Sequence, residues 1–212
     1  MRFRDRRDAG ERLGARLVDE GLTRPLVLAL PRGGVPVAAE VARALGAPLE
    51  VFVVRKLGVP WHPELGVGAL AEGGEPLVHE ASLRELGLTR DQLEPIIERE
   101  RAELARRVKR YRGGRALPEL RDRDVVVVDD GLATGVSAQA ALLALRALGP
   151  RRLILAVPVC APDTAQRLVA EGCADDVVSL QAPAHFYAVG AWYERFDQTS
   201  DDEVLALLAD AR

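Results

Sequence analysis

Short, unbroken runs of apolar residues recur along the chain and are separated by segments with helical spacing of apolar positions. Such runs are typical of strands that are buried on both faces of a parallel sheet. The predicted strands are 26–30, 48–54, 125–128, 152–157 and 174–180. The predicted helices between and around them are 5–21, 37–45, 137–148 and 163–171. This alternation predicts an α/β fold with a right-handed, mostly parallel central sheet flanked by helices.

Residues 80–115 depart from the alternation and are predicted to be a helical insertion. It contains a short helix over 81–86 and a long helix from Arg90 to Arg112, which Thr89 can cap. One stripe of the long helix is apolar, with Leu93, Ile96, Ile97, Leu104, Val108 and Tyr111. The pattern favours an amphipathic helix packed on the domain or on a partner subunit. The alternative is that Arg106, Arg107 or Lys109 reaches over a bound anion.

The remaining segments are predicted to be short hairpins, loops and a C-terminal region that we call the hood, residues 181–212. Residues 66–71 and 75–78 predict a hairpin around Gly73-Gly74. Residues 57–65 are expected to form a mobile covering loop, with Trp61 as a packing anchor and no catalytic role for His62. In the hood, Ser200 is expected to cap a final helix.

Composition indicates an ordinary globular protein, with 212 residues, 48% hydrophobic and 29% charged. The length fits a single domain with appendages over 1–212. A net charge of −3 argues against general nucleic-acid binding. Cys160 and Cys173 match no metal-binding spacing, and no apolar run is long enough to span a membrane. We therefore expect a cytoplasmic protein with no nucleic-acid or membrane partner.

The segment from Val125 to Ser137 carries the most specific chemistry. Four valines end at Asp129 and Asp130, and a glycine-containing loop then leads into a helix. Backbone N–H groups at such a helix N-terminus suit a phosphate monoester, and hydroxyl residues can add donors. Two carboxylates would repel that phosphate, so they are expected to face sugar hydroxyls or a metal ion on the same ligand.

Two further strand ends carry residues suited to an anion. Pro31-Arg32-Gly33-Gly34 follows the first predicted strand, and its glycines permit close approach of the backbone. Arg32 offers a planar guanidinium to phosphate oxygens. Arg55-Lys56 follows the second predicted strand, in a chain whose only other lysine is Lys109. The alternative for Arg32 is an exposed arginine in a simple turn. The alternative for Arg55-Lys56 is a solvated cation pair.

These three loops resemble, in order and spacing, those of type I phosphoribosyltransferases. The resemblance implies the α/β fold of that family, to which this chain adds a small hood and an inserted long helix. The resemblance implies a Mg²⁺-dependent transfer of ribose 5-phosphate from phosphoribosyl pyrophosphate (PRPP) to a nucleobase, with release of pyrophosphate. It implies that Asp129 and Asp130 bind the ribose hydroxyls, and that Arg32, Gly33, Gly34, Arg55 and Lys56 meet pyrophosphate. The implied 5′-phosphate site is Gly131, Leu132, Ala133, Thr134, Gly135, Val136 and Ser137. Magnesium would be held through PRPP and water near the two aspartates, without a direct protein site. A non-proline cis peptide in the first loop and a homodimer are also common in this family.

The acceptor is less well defined by the sequence. Five aromatic residues cluster in the hood, and Phe186 or Tyr187 resembles the purine-stacking phenylalanine of hypoxanthine-guanine enzymes, with one extra residue. Ala133 stands where purine-oxo enzymes of the family have an acid, which argues against that activity. A non-enzymatic PRPP- or nucleotide-binding regulator on the same fold is the second hypothesis. An unrelated α/β phosphatase would need Asp129 as nucleophile, without the usual Asp-x-Asp arrangement.

Overall fold

The protein is built on a five-stranded parallel sheet. The structure, a computed structural model, describes residues 2–59 and 62–211, and of residues 62–65 only the backbone. The strand order is β2-β1-β6-β7-β8. The strands are β1 (Leu26–Ala29), β2 (Leu49–Val51), β6 (Asp124–Val128), β7 (Arg152–Val159) and β8 (Asp176–Gln181). The predicted parallel sheet is confirmed by the parallel pairing of all neighbouring strands. Its three central strands, β1, β6 and β7, are largely apolar and buried.

Helices cover both faces of this sheet. They are α1 (Arg6–Val18), α2 (Gly34–Leu45), α5 (Val136–Arg146), α6 (Pro162–Ala170) and α7 (Asp201–Asp210). Alternate β1 residues show the two layers: Val27 packs in a cluster with α1, α2 and α7, whereas Leu28 packs in a second cluster with α5. Leu13 and Leu17 of α1 are buried as the spacing predicts, but Val18 is exposed because the helix ends there.

A second, antiparallel sheet contains β3 (Val54–Val59), β4 (His62–Ala71) and β5 (Leu77–Val78). The hairpin expected around Gly73-Gly74 is present as β4–β5. The prediction of one strand over 48–54 is wrong, because the chain leaves the parallel sheet after Val51 and enters this sheet at Val54. For residues 57–59 and 62–65, the prediction of a loop is also wrong, because they lie in β3 and β4. Buried Leu57 and Val59 alternate with less buried neighbours, which is the pattern of a strand. Trp61 and the His62 side chain lie outside the described residues.

The helical insertion consists of α3 (Glu80–Glu85) and α4 (Arg90–Arg112). Thr89 and Gln92 form a capping box at the start of α4, and Gly113 ends the helix with a φ of 61°. The apolar stripe packs into the core next to β3 and β4, so the packed-helix interpretation is confirmed. Tyr111 also reaches α7, where its hydroxyl donates to Asp201 at 2.6 Å.

The N-terminal segment joins the hood. Phe3 is buried against Tyr193, with ring centroids 5.4 Å apart, and its N–H donates to the carbonyl of Trp192. Residues Val189–Trp192 form a short 3₁₀ helix, and Ser200 caps α7 as predicted. None of the helices in the described part of the chain combines the length and the apolar character that a bilayer crossing needs.

Candidate active site

The loop between β6 and α5 encloses a cavity of about 170 Å³. Gly135 lies at the N-cap of α5 with a φ of 77° and provides no side-chain cap, so the first-turn N–H groups of α5 have no side-chain acceptor there. An uncapped helix N-terminus is suited to an anion. The cavity is lined by Lys56, Asp129, Asp130, Gly131, Leu132, Ala133, Thr134, Gly135, Val136, Ser137, Ala138 and Val189.

Neighbouring elements hold this loop in place. The N–H of Leu132 donates to the carbonyl of Val159 at 2.9 Å, so this N–H is used by the sheet, while Leu132 itself lines the cavity. From α6, the Thr164 hydroxyl donates to the carbonyl of Ala133 and Arg167 donates to the carbonyl of Thr134. The carbonyls therefore face α6, and Thr134 and Ser137, which belong to the predicted 5′-phosphate site, line the cavity.

Asp129 and Asp130 lie side by side at the carboxyl end of β6. The N–H of Asp130 donates to Oδ1 of Asp129 at 2.8 Å. Removal from water raises the pKa of both carboxyls; the charge of Asp130 adds to this effect at Asp129, and Lys56 and Arg6 oppose it. Two adjacent carboxylates with raised pKa values favour hydroxyl or cationic ligands.

Arg6 contacts this pair, a role that the sequence analysis did not predict. Its Nε and Nη2 lie 2.9 and 2.8 Å from Oδ2 of Asp130. Helical spacing places Arg6 on the polar face of α1, and the sequence carries no signal that a partner 124 positions away lies opposite.

The loop after β1 packs directly on the acidic pair. A Cβ atom on Gly33 would overlap the Asp130 carboxylate, and one on Gly34 would lie 2.6 Å from the carbonyl oxygen of Val128. Both glycines are therefore needed for the two loops to meet. The peptide between Pro31 and Arg32 is cis, as the resemblance implies.

Arg32 itself turns away from the cavity. It does not line the cavity walls, and its Nη1 lies 3.8 Å from Oδ1 of Asp201 at the start of α7. Asp201 also accepts from Tyr111, and Arg110 of α4 lies 3.0 Å from its other oxygen. Arg32 thus remains a predicted pyrophosphate contact that would need a different rotamer to reach the cavity.

The side chains of Arg55 and Lys56 lie on opposite faces of β3. Arg55 pairs with Glu100 of α4, with Nε 2.8 Å from Oε2, whereas Lys56 lines the cavity. Successive residues of a strand point to opposite faces, so only one of the two can face the cavity. The prediction that this pair follows a strand end is wrong, because both residues lie within β3.

Basic residues near the C-terminal end of α4 are paired elsewhere. Arg106 and Arg107 both donate to Glu103 and lower the pKa of that carboxyl to about 2. Arg110 pairs with Asp201 and Asp202 of α7. The alternative in which Arg106 or Arg107 covers an anion in the cavity has no support from these contacts.

The two predicted base-stacking residues do not line the cavity. Phe186 packs with Phe3 and Tyr193, and the Tyr187 side chain is 89% exposed. The hood contributes Val189 instead, whose side chain covers Gly131 so closely that a Cβ there would lie 2.5 Å from Cγ1. Tyr193 of the hood donates its hydroxyl to the carbonyl of Asp130 at 2.6 Å.

Known proteins with similar sequences cover the whole region just described. Two proteins from Mycobacterium tuberculosis strains, each named "putative phosphoribosyl transferase", are 48% identical over 206 residues. The match spans 97% of this chain and 46% of each relative, so the chain corresponds to about half the length of those proteins.

Solved structures give the same result for the fold. The TT1426 protein from Thermus thermophilus is 48% identical, with a TM-score of 0.81 and 99% of both chains covered. The AQ2163 protein from Aquifex aeolicus is 13% identical with a TM-score of 0.54, covers 87% of this chain and 78% of its own, and shows a similar fold alone.

The family model described as "phosphoribosyl transferase domain" matches residues 4–193. This range includes the β6–α5 loop, the acidic pair, the Gly33-Gly34 loop, Lys56 and Arg6. The chain therefore belongs to the phosphoribosyltransferase family, with the type I fold.

Proposed function

We propose that this chain binds PRPP and transfers its ribose 5-phosphate to a nucleobase-like acceptor, with release of pyrophosphate. The observation that carries the proposal is the position of the acidic pair. Asp129 and Asp130 lie between an uncapped helix N-terminus and a loop in which only glycine fits. An anion site on each side of two carboxylates matches a ligand with a phosphate, a polyol and a pyrophosphate in that order.

The 5′-phosphate binds at residues 133–137, where N–H groups of α5 and the hydroxyls of Thr134 and Ser137 are available. The ribose hydroxyls donate to Asp129 and Asp130. Pyrophosphate lies toward Gly33, Gly34 and Lys56, the cation on the cavity wall. The Arg32 side chain leaves Asp201 and contacts the pyrophosphate when the ligand binds.

In the transfer, the bond between C1′ and the pyrophosphate oxygen breaks, and its electron pair leaves with pyrophosphate. A nitrogen of the acceptor forms the new bond to C1′ and releases its proton to solvent. The residues of this chain hold the ribose in position and stabilise the leaving group through Lys56 and backbone N–H groups. Ala133 stands at the position where purine-oxo enzymes of the family have an acid, and we assign no general base.

Magnesium fits this site only as part of the ligand. No group of three or more His, Cys, Asp or Glu side chains within 2–59 and 62–211 is arranged to hold a metal ion, and Oδ2 of Asp130 is bonded to Arg6. Pyrophosphate oxygens and water would therefore hold the ion, with Asp129 and Asp130 nearby. When bound, Mg²⁺ supplies positive charge to the departing pyrophosphate.

A non-enzymatic PRPP- or nucleotide-binding regulator is the second candidate. The observation that favours it is the position of the predicted base-binding residues, Phe186 and Tyr187, away from the cavity. The two candidates share the donor site and differ in whether any acceptor reacts.

Calorimetric titration with PRPP and Mg²⁺, followed by pyrophosphate release with a panel of purine and pyrimidine bases, tests the proposal. We expect saturable PRPP binding, at least about tenfold weaker in Asp130→Asn because hydrogen bonds to charged groups are strong. We also expect release with at least one base. PRPP binding without release for any base would favour the regulator, and no PRPP binding would exclude the transferase and leave only a regulator that binds a nucleotide.

A further inference from the structure

The guanidinium of Arg6 is fixed by groups from two distant parts of the chain, the end of β6 and the hood. Nε and Nη2 donate to the Asp130 carboxylate, and Nη1 donates to the backbone carbonyl of Asp197 at 2.6 Å. The Phe196 ring lies under the guanidinium carbon, with 3.9 Å to the ring centroid. The Arg6 side chain is 12% exposed. A surface arginine with a merely solvating role would not be held on so many sides.

These contacts determine the orientation of the Asp130 carboxylate. Oδ2 is the atom that both Arg6 nitrogens contact, and the same atom occupies the space where Gly33 lacks a Cβ. The backbone carbonyl of Asp130 is fixed separately by the Tyr193 hydroxyl. The charged groups around this carboxylate are Arg6 from α1, the neighbouring Asp129, and Lys56 from β3 on the same cavity wall. Arg6 is the cation in direct contact.

We propose that Arg6 is a positioning residue for the donor site, which fixes the Asp130 carboxylate in the orientation that accepts the ribose hydroxyls and provides its countercharge. The inference rests on the proposed binding of PRPP. It makes the first turn of α1 part of the donor site, although α1 packs mainly on α2. Arg6 acts through Asp130 and does not itself touch the ligand.

The neighbouring contacts explain how α1 can hold such a residue in place. Asp5 caps α1 and pairs with Arg195, which follows the strand-like segment at Tyr193. Phe3 is bonded on both sides to the hood, with its carbonyl accepting from Glu194 at 2.8 Å. The start of α1 and the hood are therefore joined around the guanidinium.

Three ligands that differ by one part each test the proposal: inorganic phosphate, ribose 5-phosphate and PRPP. In Arg6→Met, we expect the affinity for ribose 5-phosphate and PRPP to fall about tenfold, as loss of a charged hydrogen-bond partner predicts. The affinity for inorganic phosphate should stay within about twofold, because the 133–137 loop does not contact Arg6. Arg6→Lys should recover part of the loss, since lysine restores the charge but not the planar geometry.

Arg7→Met is the matched control, because Arg7 is the next residue on α1, is 71% exposed and pairs only with Glu11 and Glu40 in the described contacts. It should leave all three affinities within about twofold. Should Arg6→Met fail to fold, Arg6→Gln carries the same test with a polar side chain of similar length.

The outcomes separate the two proposals. Wild-type affinity for ribose 5-phosphate in Arg6→Met, with a loss in Asp130→Asn, would overturn the role of Arg6 and leave the proposed function standing. An equal loss for phosphate and for ribose 5-phosphate would also overturn it, because it would indicate a general structural effect. A wild-type protein that binds phosphate but gains nothing from the ribose would overturn both.

Discussion

Gly33 and Asp130 are packed so closely that a Cβ atom on residue 33 would lie only 2.8 Å from Cγ of Asp130. Alanine at this position would push the carboxylate away from Arg6 and out of the orientation that faces the cavity. We expect Gly33→Ala to weaken PRPP binding at least about tenfold and to lower the free energy of unfolding by about 1–3 kcal/mol.

Calorimetry and urea denaturation measure these two effects. Gly66→Ala is the control, since a Cβ there meets nothing within 4 Å. If Gly33→Ala bound PRPP as the wild type does, the close contact between the two loops would have no functional importance.

Arg55 and Lys56 should have opposite effects although they are adjacent. Lys56→Met should weaken PRPP binding about tenfold with little change in stability, because Lys56 lines the cavity. Arg55→Met should instead lower the free energy of unfolding by about 1–3 kcal/mol, because it leaves the buried Glu100 without this partner. Each variant serves as the control for the other in titration and denaturation experiments. Equal losses of affinity in both would contradict the strand geometry.

Gly135 should be essential for the phosphate loop. Its positive φ and a Cβ position 2.5 Å from Cγ2 of Thr164 both oppose a side chain. We expect Gly135→Ala to abolish measurable phosphate binding, because the N-terminus of α5 would be displaced. Gly149 also has a positive φ, +70°, but a Cβ there would meet nothing within 4 Å. Gly149→Ala is therefore the control that introduces backbone strain without a clash. Comparable phosphate affinities in the two variants would show that the clash has no effect on the site.

Arg112 and Glu72 form a buried ion pair whose effect on stability depends on pH. Nη1 of Arg112 lies 2.5 Å from Oε1 of Glu72, and burial raises the pKa of Glu72 above its ordinary value of 4.5. Arg112→Met should cost about 3 kcal/mol near neutral pH, since it leaves a buried carboxylate unpaired. Without its cation, Glu72 has a still higher pKa in the folded state. The deficit should therefore be full above that pKa and shrink as the pH falls through it, because protonated Glu72 needs no cation.

Urea denaturation between neutral pH and about pH 5 measures this deficit. The control is Arg90→Met, which removes an exposed ion pair between Arg90 of α4 and Glu80 of α3. It should lower the free energy of unfolding by at most about 1 kcal/mol at any pH. A deficit for Arg112→Met that grew toward low pH would contradict the assignment.

The parallel sheet and α4 could be predicted from local sequence because their signals are local. Val125–Val128 is apolar without interruption, and α4 has a capping residue at Thr89 and a glycine at its end. The pairing of β3 with β4 was missed because Gly58, Pro60 and Pro63 indicate a loop, although buried Leu57 and Val59 have the alternation of a strand. Recognising that alternation would also have separated Arg55 from Lys56.

The loops that carry the acidic pair and the glycines could be predicted more fully than the segments around them. The acidic pair and the glycine loops lie at strand ends, where their chemistry can be inferred from order alone. Arg6 and Val189 reach the site from segments that are distant in sequence, through contacts that depend on how α1 and the hood pack. The orientation of Arg32 toward Asp201 likewise depends on where α7 begins.

Lys56 belongs to the antiparallel sheet, whereas Asp129 and Asp130 follow a strand of the parallel one. The antiparallel sheet is held by packing on α4 and α5, with no strand hydrogen-bonded between the two sheets in the described residues. Local opening of such a unit requires less free energy than global unfolding. Detachment of the antiparallel sheet would remove Lys56 from the cavity and leave the parallel sheet folded. Heat should then inactivate the protein below its global melting temperature, and amide hydrogens of β3 and β4 should exchange before those of β6.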